Sequence, residues 1–267
     1  MWESVPKKPM TRPRKQTTEP ANPEAPLKRL DAAVIAPKPT RRYRARVFEI
    51  YVLVATGGFI ALAIAARFIP YFAVDLAVTR GLQSYHGVVF DRLMYGVSWI
   101  GFFPQSLLLG LIPCIVLLAA GLRWESLVTL FAALSEGADV LIKMIVHRPR
   151  PSIDLVHVIR ELTSHSFPSG HVLTTTTLCG FLAFLSYTLL KASWERTALV
   201  TAFVVLIVLM GVSRIYEGQH WFSDVIGAYL FGSLWLALTI KVYRWGKPRY
   251  FVHQPVAPEV PATPASR

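Results

Sequence analysis

The sequence predicts an all-α membrane protein, a polytopic helix bundle with six transmembrane helices and one interfacial amphipathic helix. Hydrophobic residues make up 53% of the 267 residues and charged residues only 16%, which is too apolar for an ordinary soluble domain. The apolar residues gather in runs of roughly 17 to 25, the length that a helix needs to cross about 30 Å of hydrocarbon. Both observations make a membrane protein the first class to consider.

Residues 1–46 are predicted to form a disordered cytoplasmic tail, because they are rich in Pro, Lys, Arg and Thr and contain no run that could bury a core. Residues 1–47 hold twelve Lys and Arg against four Asp and Glu, so +8 of the net charge of +12 lies there. A basic segment beside a hydrophobic span is typical of a segment that faces anionic lipids. The charge therefore does not indicate a nucleic-acid partner; a solvated tail with no partner is the alternative.

Six mostly apolar runs follow, and each predicts one membrane span. They cover residues 48–70, 97–122, 126–146, 172–190, 197–212 and 225–242. Residues 72–92 mix Asp75, Arg80, Asp91 and Arg92 with apolar side chains, a pattern that predicts an interfacial amphipathic helix. The membrane domain is therefore expected to cover residues 47–245, and residues 246–267 are expected to form a second disordered cytoplasmic tail.

The placement of basic residues predicts how the helices are oriented. With six spans, the basic segments at 41–46 and 244–249 lie on the same side as Arg123, Lys191 and Arg196, and the positive-inside bias makes that side cytoplasmic. Both termini are then cytoplasmic, and a bacterial inner or plasma membrane is the expected location. The loops around 148–170 and 214–220 lie on the opposite side. These loops are basic too. The positive-inside bias does not explain their charge, whereas a functional role would.

Three patterns of reactive and phosphate-binding residues lie at the non-cytoplasmic ends of the predicted spans. In chain order they are Lys143-x6-Arg150-Pro151, Pro168-Ser169-Gly170-His171 and Ser213-Arg214-x5-His220-x3-Asp224. They match K-x6-RP, PSGH and SR-x5-H-x3-D at all eleven fixed positions. These are the signatures of the type 2 phosphatidic acid phosphatase family, which is related to vanadium haloperoxidases. The chain resembles this family from about residue 48 to residue 243.

His220 and Asp224 are predicted to be the nucleophile and its hydrogen-bond partner. Their four-residue spacing puts them on one helix face, so Asp224 can accept a hydrogen bond from Nδ1 of His220. Nε2 would then carry a lone pair that can attack phosphorus and form a phosphohistidine. Alone, such a pair is more often a helix cap or a surface pair, and the other two patterns favour the catalytic interpretation.

The resemblance implies that His171 is the general acid, which protonates the leaving oxygen and later deprotonates the attacking water. His171 follows a Ser-Gly turn at the start of the fourth span, where free N–H groups and the helix dipole favour an anion. The Ser169 hydroxyl and the Gly170 amide could donate hydrogen bonds to phosphate oxygens. A lone histidine at a membrane edge would otherwise be an ordinary interfacial residue.

Lys143, Arg150 and Arg214 are predicted to bind the phosphate, because three cations match the charge that a transferring phosphoryl group spreads over its oxygens. Asp139 lies one turn before Lys143, so we predict that it pairs with Lys143 and aims it into the site. Glu136, on the same helix face, is predicted to pack against another helix. No cluster of carboxylates or histidines with metal-ligand spacing lies at this side, so neither a metal nor another cofactor is predicted.

The predicted function is hydrolysis of a phosphomonoester or diphosphate lipid. Phosphatidic acid, phosphatidylglycerol phosphate and polyprenyl diphosphates such as undecaprenyl diphosphate all fit, so the expected partners are a lipid phosphate and membrane lipids. Arg148 and Arg160 are candidates for head-group contacts, with solvated loop charge as the alternative. Two other functions stay open: phosphotransfer to a lipid or sugar, and a non-catalytic membrane protein that keeps the fold.

Overall fold

In the computed structural model of the protein, residues 38–85 and 87–250 are described, and every regular element within these ranges is a helix. The all-α prediction is therefore confirmed for this part of the chain. In order, its nine helices are α1 (Lys38–Phe68), α2 (Ala73–Gln83), α3 (Val88–Ile100), α4 (Gln105–Ala119), α5 (Arg123–Ala133), α6 (Ser135–Val146), α7 (Gly170–Leu189), α8 (Trp194–Tyr216) and α9 (Phe222–Tyr250).

Four helices of the described ranges, α1, α7, α8 and α9, are each long and apolar enough to cross a membrane. The bent pair of α3 and α4, whose axes meet at 61°, brings the number to five if it is counted as one broken span. The chain is thus an integral membrane protein. The six-span count predicted from the sequence is not confirmed.

The second predicted span, 97–122, is interrupted between α3 and α4. The interruption has the sequence Gly101-Phe102-Phe103-Pro104. Proline cannot donate to the helix ladder and disfavours helical geometry at the residue before it, while Gly101 caps the end of α3. The chain therefore bends where the hydropathy pattern shows only a continuous apolar run.

The third predicted span, 126–146, is divided at Leu134 into α5 and α6, which have 11 and 12 residues. At about 1.5 Å per residue, each helix is shorter than ~20 Å and cannot alone cross the hydrocarbon layer. The charged side chains that set this segment apart, Glu136, Asp139 and Lys143, all lie on α6. The third crossing would require both short helices together.

Helix α2 occupies the first half of the segment predicted to be an interfacial amphipathic helix, and Asp91 belongs to the next helix, α3. Asp75 and Thr79 on α2 are fully buried rather than facing a polar interface. Helix α2 contacts α8 and α9. The polar side of α2 therefore points into the protein. A sequence pattern alone cannot show whether the polar side of a helix faces the protein or water.

The two tail boundaries differ from the predicted ones. Helix α1 begins at Lys38, inside the segment assigned to the N-terminal tail, and α9 continues to Tyr250, inside the C-terminal one. Basic residues did not prevent the helix from extending, because Lys and Arg are good helix formers. The remaining tail residues, 1–37 and 251–267, lie outside the described residues.

Helix α7 is the central helix of the bundle and packs against α5, α6, α8 and α9. At one end of the bundle an apolar cluster joins the start of α7 (Val172, Leu173), the end of α8 (Met210, Ile215) and the start of α9 (Val225). Packing of this density holds the three helix ends in fixed relative positions. The second and third sequence patterns lie at these ends, and the first begins in the last turn of α6.

Candidate active site

A cavity of about 410 Å³ opens at this end of the bundle and is lined by six of the eight predicted site residues, namely Lys143, Arg150, Gly170, His171, Arg214 and His220. The other two, Ser169 and Asp224, are fully buried beside it. The fold thus brings together residues that are up to 81 positions apart in the sequence, from Lys143 to Asp224. The geometry around each of them decides what chemistry the cavity can support.

The imidazole of His220 is held by a backbone carbonyl rather than by Asp224. Its Nδ1 lies 2.8 Å from the carbonyl oxygen of Ser166, a hydrogen bond, and 3.7 Å from the Asp224 carboxylate, which is too long for one. The prediction that Asp224 accepts from Nδ1 is therefore wrong. Because a carbonyl oxygen can only accept, Nδ1 carries the hydrogen and Nε2 carries the lone pair.

Three cations surround the other side of the His220 ring. Nη1 of Arg150 lies 3.2 Å from Nε2 of His220, and Lys143 and Arg214 line the same cavity. Burial, and then the positive charges of these three residues, lower the pKa of His220 well below its usual value. The imidazole is therefore neutral at pH 7, the state that a nucleophile needs.

Asp224 is occupied by other donors. One of its carboxylate oxygens accepts a hydrogen bond from Arg148 at 2.6 Å, and the other accepts from the Ser166 hydroxyl and from the backbone N–H of Trp221 at 2.9 Å. The same residue, Ser166, thus bonds to Asp224 through its side chain and to His220 through its carbonyl. Asp224 positions the His220 ring indirectly, by fixing Ser166.

Arg148 does not reach head groups, as one interpretation of the sequence suggested, because it is fully buried. Its guanidinium bridges the carboxylates of Asp75 at 2.8 Å and Asp224 at 2.6 Å. It also donates to the hydroxyl of Ser223 and to the carbonyl oxygen of Pro70. The guanidinium nitrogens thus donate to all of these surrounding acceptors. Through the two carboxylates, Arg148 joins α2 to the start of α9, which is a structural role.

Most of the hydrogen-bond donors of Arg150 bind other residues of the protein. Its guanidinium donates to the carbonyl oxygen and hydroxyl of Ser164 at 2.8 and 3.0 Å and to the carbonyl oxygen of Gln219 at 2.6 Å. These bonds join the loop before α7 to the loop that carries His220. Arg150 therefore brings positive charge into the cavity from a fixed position.

Lys143 and Asp139 form the predicted pair: the ammonium nitrogen lies 2.6 Å from the carboxylate, and both side chains are largely buried. A Cβ atom at Gly170 would lie 2.7 Å from the Asp139 carboxylate and 3.3 Å from the Lys143 ammonium, so only glycine allows this approach. The pair therefore sits directly against the start of α7. Glu136 is not packed against another helix as predicted; it is exposed and lines the cavity.

Arg214 is fully buried at the end of α8, and one of its nitrogens is held by two residues outside the sequence patterns. Nη1 donates to the hydroxyl of Ser98 and to the carboxylate of Glu217 at 2.9 Å. Ser98 in turn donates to the same carboxylate oxygen at 2.7 Å. Phe102 lies over the guanidinium, 5.3 Å from its carbon. These contacts fix the orientation of the guanidinium and leave its other two nitrogens for a ligand.

Several buried polar atoms at this site have no hydrogen-bond partner within the described ranges. They include Nε and Nη2 of Arg214, the hydroxyl of Ser169, Nε2 of His171 and one carboxylate oxygen of Asp139, Oδ1. Ser169 caps the start of α7, where the first backbone N–H groups also lack partners within the helix. Unpaired buried polar groups are costly, so a set that converges on one cavity indicates that a ligand completes it.

The bend between α3 and α4 packs closely against the side chain of His171. A Cβ atom at Gly101 would lie 2.2 Å from Cδ2 of the imidazole, and the ring of Phe102 packs edge-on against it with centroids 5.0 Å apart. The side chain of His171 is therefore held by the bend as well as by α7. Sequence reasoning missed this role because nothing near 101–104 resembles a site pattern.

Other residues that shape the site carried weak signals in the sequence. Ser98 and Ser166 are common residue types with no special spacing, and Glu217 lies between the fixed positions of the third pattern. Asp75, an acidic residue in a mainly apolar segment, was visible but was interpreted as interfacial. His147 and His165, two histidines outside the sequence patterns, contact each other, with ring centroids 4.6 Å apart, and do not line the cavity.

No group of three or more His, Cys, Asp or Glu side chains that could hold a metal ion occurs in the part of the chain that the structure describes. What the cavity presents is cations, unpaired donors and a neutral imidazole. Such a set can bind a phosphate group and attack it.

Comparison with known proteins identifies relatives. The model of the PAP2 superfamily matches residues 124–248. Phosphatidylglycerophosphatase B of Bacillus subtilis (strain 168) is 30% identical over 186 residues, which cover 66% of this chain and 86% of the relative. Lipid phosphate phosphatase delta of Arabidopsis thaliana is 29% identical over 125 residues, covering 43% of this chain and 30% of the relative.

Two solved structures share the fold. The transmembrane PAP2-type phosphatidylglycerolphosphate phosphatase from Bacillus subtilis has a TM-score of 0.61 and 24% identity, covering 75% of this chain and 98% of its own. Aquifex aeolicus LpxE has a TM-score of 0.52 and 23% identity, covering 65% and 98%. The resemblance seen in the sequence patterns thus extends to the arrangement of helices.

Proposed function

The chain belongs to the PAP2 superfamily, and from this premise we propose that it is a lipid phosphate phosphatase that works through a covalent phosphohistidine at His220. The substrate is a phosphomonoester or diphosphate lipid, because the cavity lies among membrane helices and both sequence relatives are named as lipid phosphatases. No step requires a metal ion, since cations of the protein meet the phosphate charge.

One observation carries this proposal: Arg214, which lines the cavity together with His220, and Ser169, buried beside it, have donors without a partner in the described part of the chain. A phosphate group offers several acceptor oxygens at once and would satisfy donors that otherwise stay buried and unbonded. Arg214 can hold two oxygens through Nε and Nη2 in a fork, while Lys143 and Arg150 supply further positive charge. The start of α7 adds backbone N–H groups to the same anion site.

In the first step, Nε2 of His220 attacks phosphorus while the bond from phosphorus to the leaving oxygen breaks. The Ser166 carbonyl stabilises the ring as positive charge develops on it, because it accepts from Nδ1. His171 donates a proton to the leaving oxygen. The products are the lipid alcohol, or lipid monophosphate from a diphosphate, and a phosphohistidine held by the three cations.

In the second step, a water molecule attacks the phosphohistidine and the bond from phosphorus to nitrogen breaks. His171, now without its proton, accepts one from the water. Inorganic phosphate leaves and both histidines return to their starting states. The same residue thus acts as acid and then as base, so the site needs no further titrating group.

We also propose that the protein crosses the membrane six times, with α3–α4 and α5–α6 as broken spans, and that its active site opens on the non-cytoplasmic side. The support is positional: the site residues lie at one end of the bundle, whereas Arg123 and Arg196 lie in the first turns of α5 and α8 and Lys191 lies in the loop between α7 and α8. The positive-inside bias then makes the basic end, and both termini, cytoplasmic.

The proposal is tested by trapping the intermediate. The purified protein is mixed with a lipid phosphate labelled at phosphorus and quenched in base, in which a phosphohistidine persists, and the label is then removed with acid. We expect labelled protein in the wild type, none in His220→Ala, and full labelling in His157→Ala, an exposed histidine outside the cavity. Normal turnover by His220→Ala would refute the proposal.

A further inference from the structure

A second cavity, of about 420 Å³, adjoins the catalytic one and has no role in the mechanism above. The two share a wall made of Phe102, Phe103 and Arg160. The second cavity is also lined by the rings of Tyr95 and Trp99, both about half exposed, so it opens at the surface of the protein. A group attached to a phosphate in the first cavity could therefore extend into the second.

Three residues that line this second cavity, Gln105, Glu217 and Gln219, each have a buried side-chain oxygen, Oε1, with no hydrogen-bond partner among the described residues. Glu217 and Gln219 are each only 2% exposed. The Gln219 amide orientation is set, because its Nε2 donates to the carbonyl oxygen of Arg160 at 2.6 Å, so its other atom must be the oxygen. The unpaired atoms of the catalytic cavity include donors, whereas the unpaired atoms of Glu217 and Gln219 are acceptors.

We infer that the second cavity binds hydroxyl groups on the part of the substrate that is esterified to the phosphate. This rests on the proposed function and narrows it to lipid phosphates whose leaving group carries free hydroxyls, such as a polyol or a sugar. Hydroxyls donate to buried acceptors and remove the cost of leaving them unpaired. The aromatic rings at the mouth supply apolar contact for the carbon atoms between those hydroxyls.

The charges around the second cavity disfavour other ligands. An ammonium group would meet the guanidinium of Arg160, and the charge of Glu217 is already balanced by Arg214 at 2.9 Å. A second phosphate would place acceptor oxygens against Oε1 of Glu217 and Gln219, where like dipoles repel. A neutral hydroxyl avoids both conflicts and can also accept from Arg160.

Glu217 links the two cavities. Its Oε2 accepts from Arg214 and Ser98, its Oε1 accepts from no described residue, and Glu217 is part of the lining of the second cavity. A hydroxyl bound to Oε1 would hold the carboxylate, and through it Arg214, in place. Binding in the second cavity is therefore expected to raise kcat as well as to lower KM.

The first experiment compares two lipids with the same acyl chain in detergent micelles. Lysophosphatidic acid carries one free hydroxyl beside the phosphate ester, whereas its 2-deoxy analogue lacks that hydroxyl and is otherwise identical. We expect kcat/KM to be about fivefold or more higher for the first, the effect of one or two hydrogen bonds. Equal values for the two lipids would overturn the inference and leave the phosphatase proposal standing, whereas no turnover of either would refute that proposal.

The second experiment removes the acceptors. The isosteric variant Gln105→Met/Gln219→Met is expected to bring the ratio of the two kcat/KM values to about one. Thr197→Val, at the far end of α8, should keep the wild-type ratio. If both lipids lose activity by the same factor in the double variant, the glutamines support the fold rather than the substrate, and the inference is overturned.

The third experiment separates hydroxyl from ammonium recognition. Glycerol 3-phosphate, phosphoethanolamine and propyl phosphate are small phosphomonoesters of similar length, and each is tested as a competitor of lipid turnover. We expect glycerol 3-phosphate to inhibit at least about threefold more strongly than the other two, and the double variant to lose this difference. Stronger inhibition by phosphoethanolamine, or no difference among the three, contradicts hydroxyl recognition.

Discussion

His220 donates a hydrogen bond from Nδ1 to the backbone carbonyl oxygen of Ser166 at 2.8 Å. A backbone carbonyl does not change its charge between pH 4 and pH 10, so it fixes the imidazole tautomer over the whole range in which the enzyme can work. Asp224, at 3.7 Å, contributes by bonding to the Ser166 hydroxyl and to Arg148. The imidazole of His220 is thus oriented by a buried network rather than by one partner.

Arg148→Lys should destabilise the protein. A lysine ammonium cannot reach Asp75, Asp224 and the Pro70 carbonyl together, so at least one buried carboxylate loses its partner. We expect the free energy of unfolding to fall by about 3 kcal/mol, with a loss of kcat because Asp224 is released. Thermal unfolding in detergent measures the first effect. The exposed Arg80→Lys is the matched control and should change the melting temperature little; equal shifts for both variants would contradict the prediction.

Asp139→Asn should act through Lys143. The carboxylate holds the ammonium at 2.6 Å, so the variant leaves the cation free to move and we expect kcat/KM to fall about tenfold. Lys143→Met should cost more, about 100-fold or above, because it removes the charge itself.

A double variant tests whether the two residues form one unit. In the Lys143→Met background, Asp139→Asn should have almost no further effect on kcat/KM, because there is no ammonium left to aim. If the two losses multiply instead, Asp139 has an independent role and the positioning interpretation is wrong.

The acid limb of the pH–rate profile should lie well below pH 6.5, the usual value for histidine, because burial and three cations lower the pKa of His220. The neutral nucleophile then persists as the pH falls through that value, and activity is lost only nearer the lowered pKa. Arg150→Gln removes one of the cations, so its limb should move to higher pH. The profile of kcat/KM is measured from about pH 4 to about pH 8.

The phosphate of the substrate titrates in the same range, but it does so equally for both proteins, and the comparison between them isolates His220. The lowered pKa of His220 also determines how the stability of the fold changes with pH. The unfolded chain binds a proton at His220 below about pH 6.5 and the folded chain does not, so stability falls as the pH is lowered through that window. An Arg150→Gln limb at the wild-type pH, or below it, would show that another group sets the limb.

Gly101→Ala should impair catalysis more than folding. The backbone at Gly101 is compatible with alanine, but the added Cβ would lie 2.2 Å from the His171 ring, which must move. A shift of about 1 Å in a general acid can cost up to about 100-fold in rate, so we expect at least a tenfold loss of kcat. Gly96→Ala, on the same helix with nothing within 4 Å, should keep the rate and gain about 0.5–1 kcal/mol of stability. Equal kcat values in the two variants would contradict a clash with His171.

The sequence predicted the helical membrane class well, and the structure brings six of the eight predicted site residues to one cavity. Hydrophobic composition and the length of apolar runs indicate whether a segment lies in lipid or in water. The six residues line one cavity because the short motifs lie near helix ends that pack together. The broken helices were not predictable in the same way, since α3 and α4 are both apolar and only Gly101 and Pro104 mark the bend.

By itself, the sequence determined which residue types are available for the chemistry: two histidines, an aspartate and three cations at fixed local spacings. Only the tertiary structure decided which atoms bond to which. Hydrogen bonds depend on tenths of an ångström between segments far apart in the chain, as between Arg148 and Asp75, and no local pattern encodes such distances. For that reason the partner of His220, the burial of Arg148 and the acceptor-lined second cavity became visible only once the helices were packed.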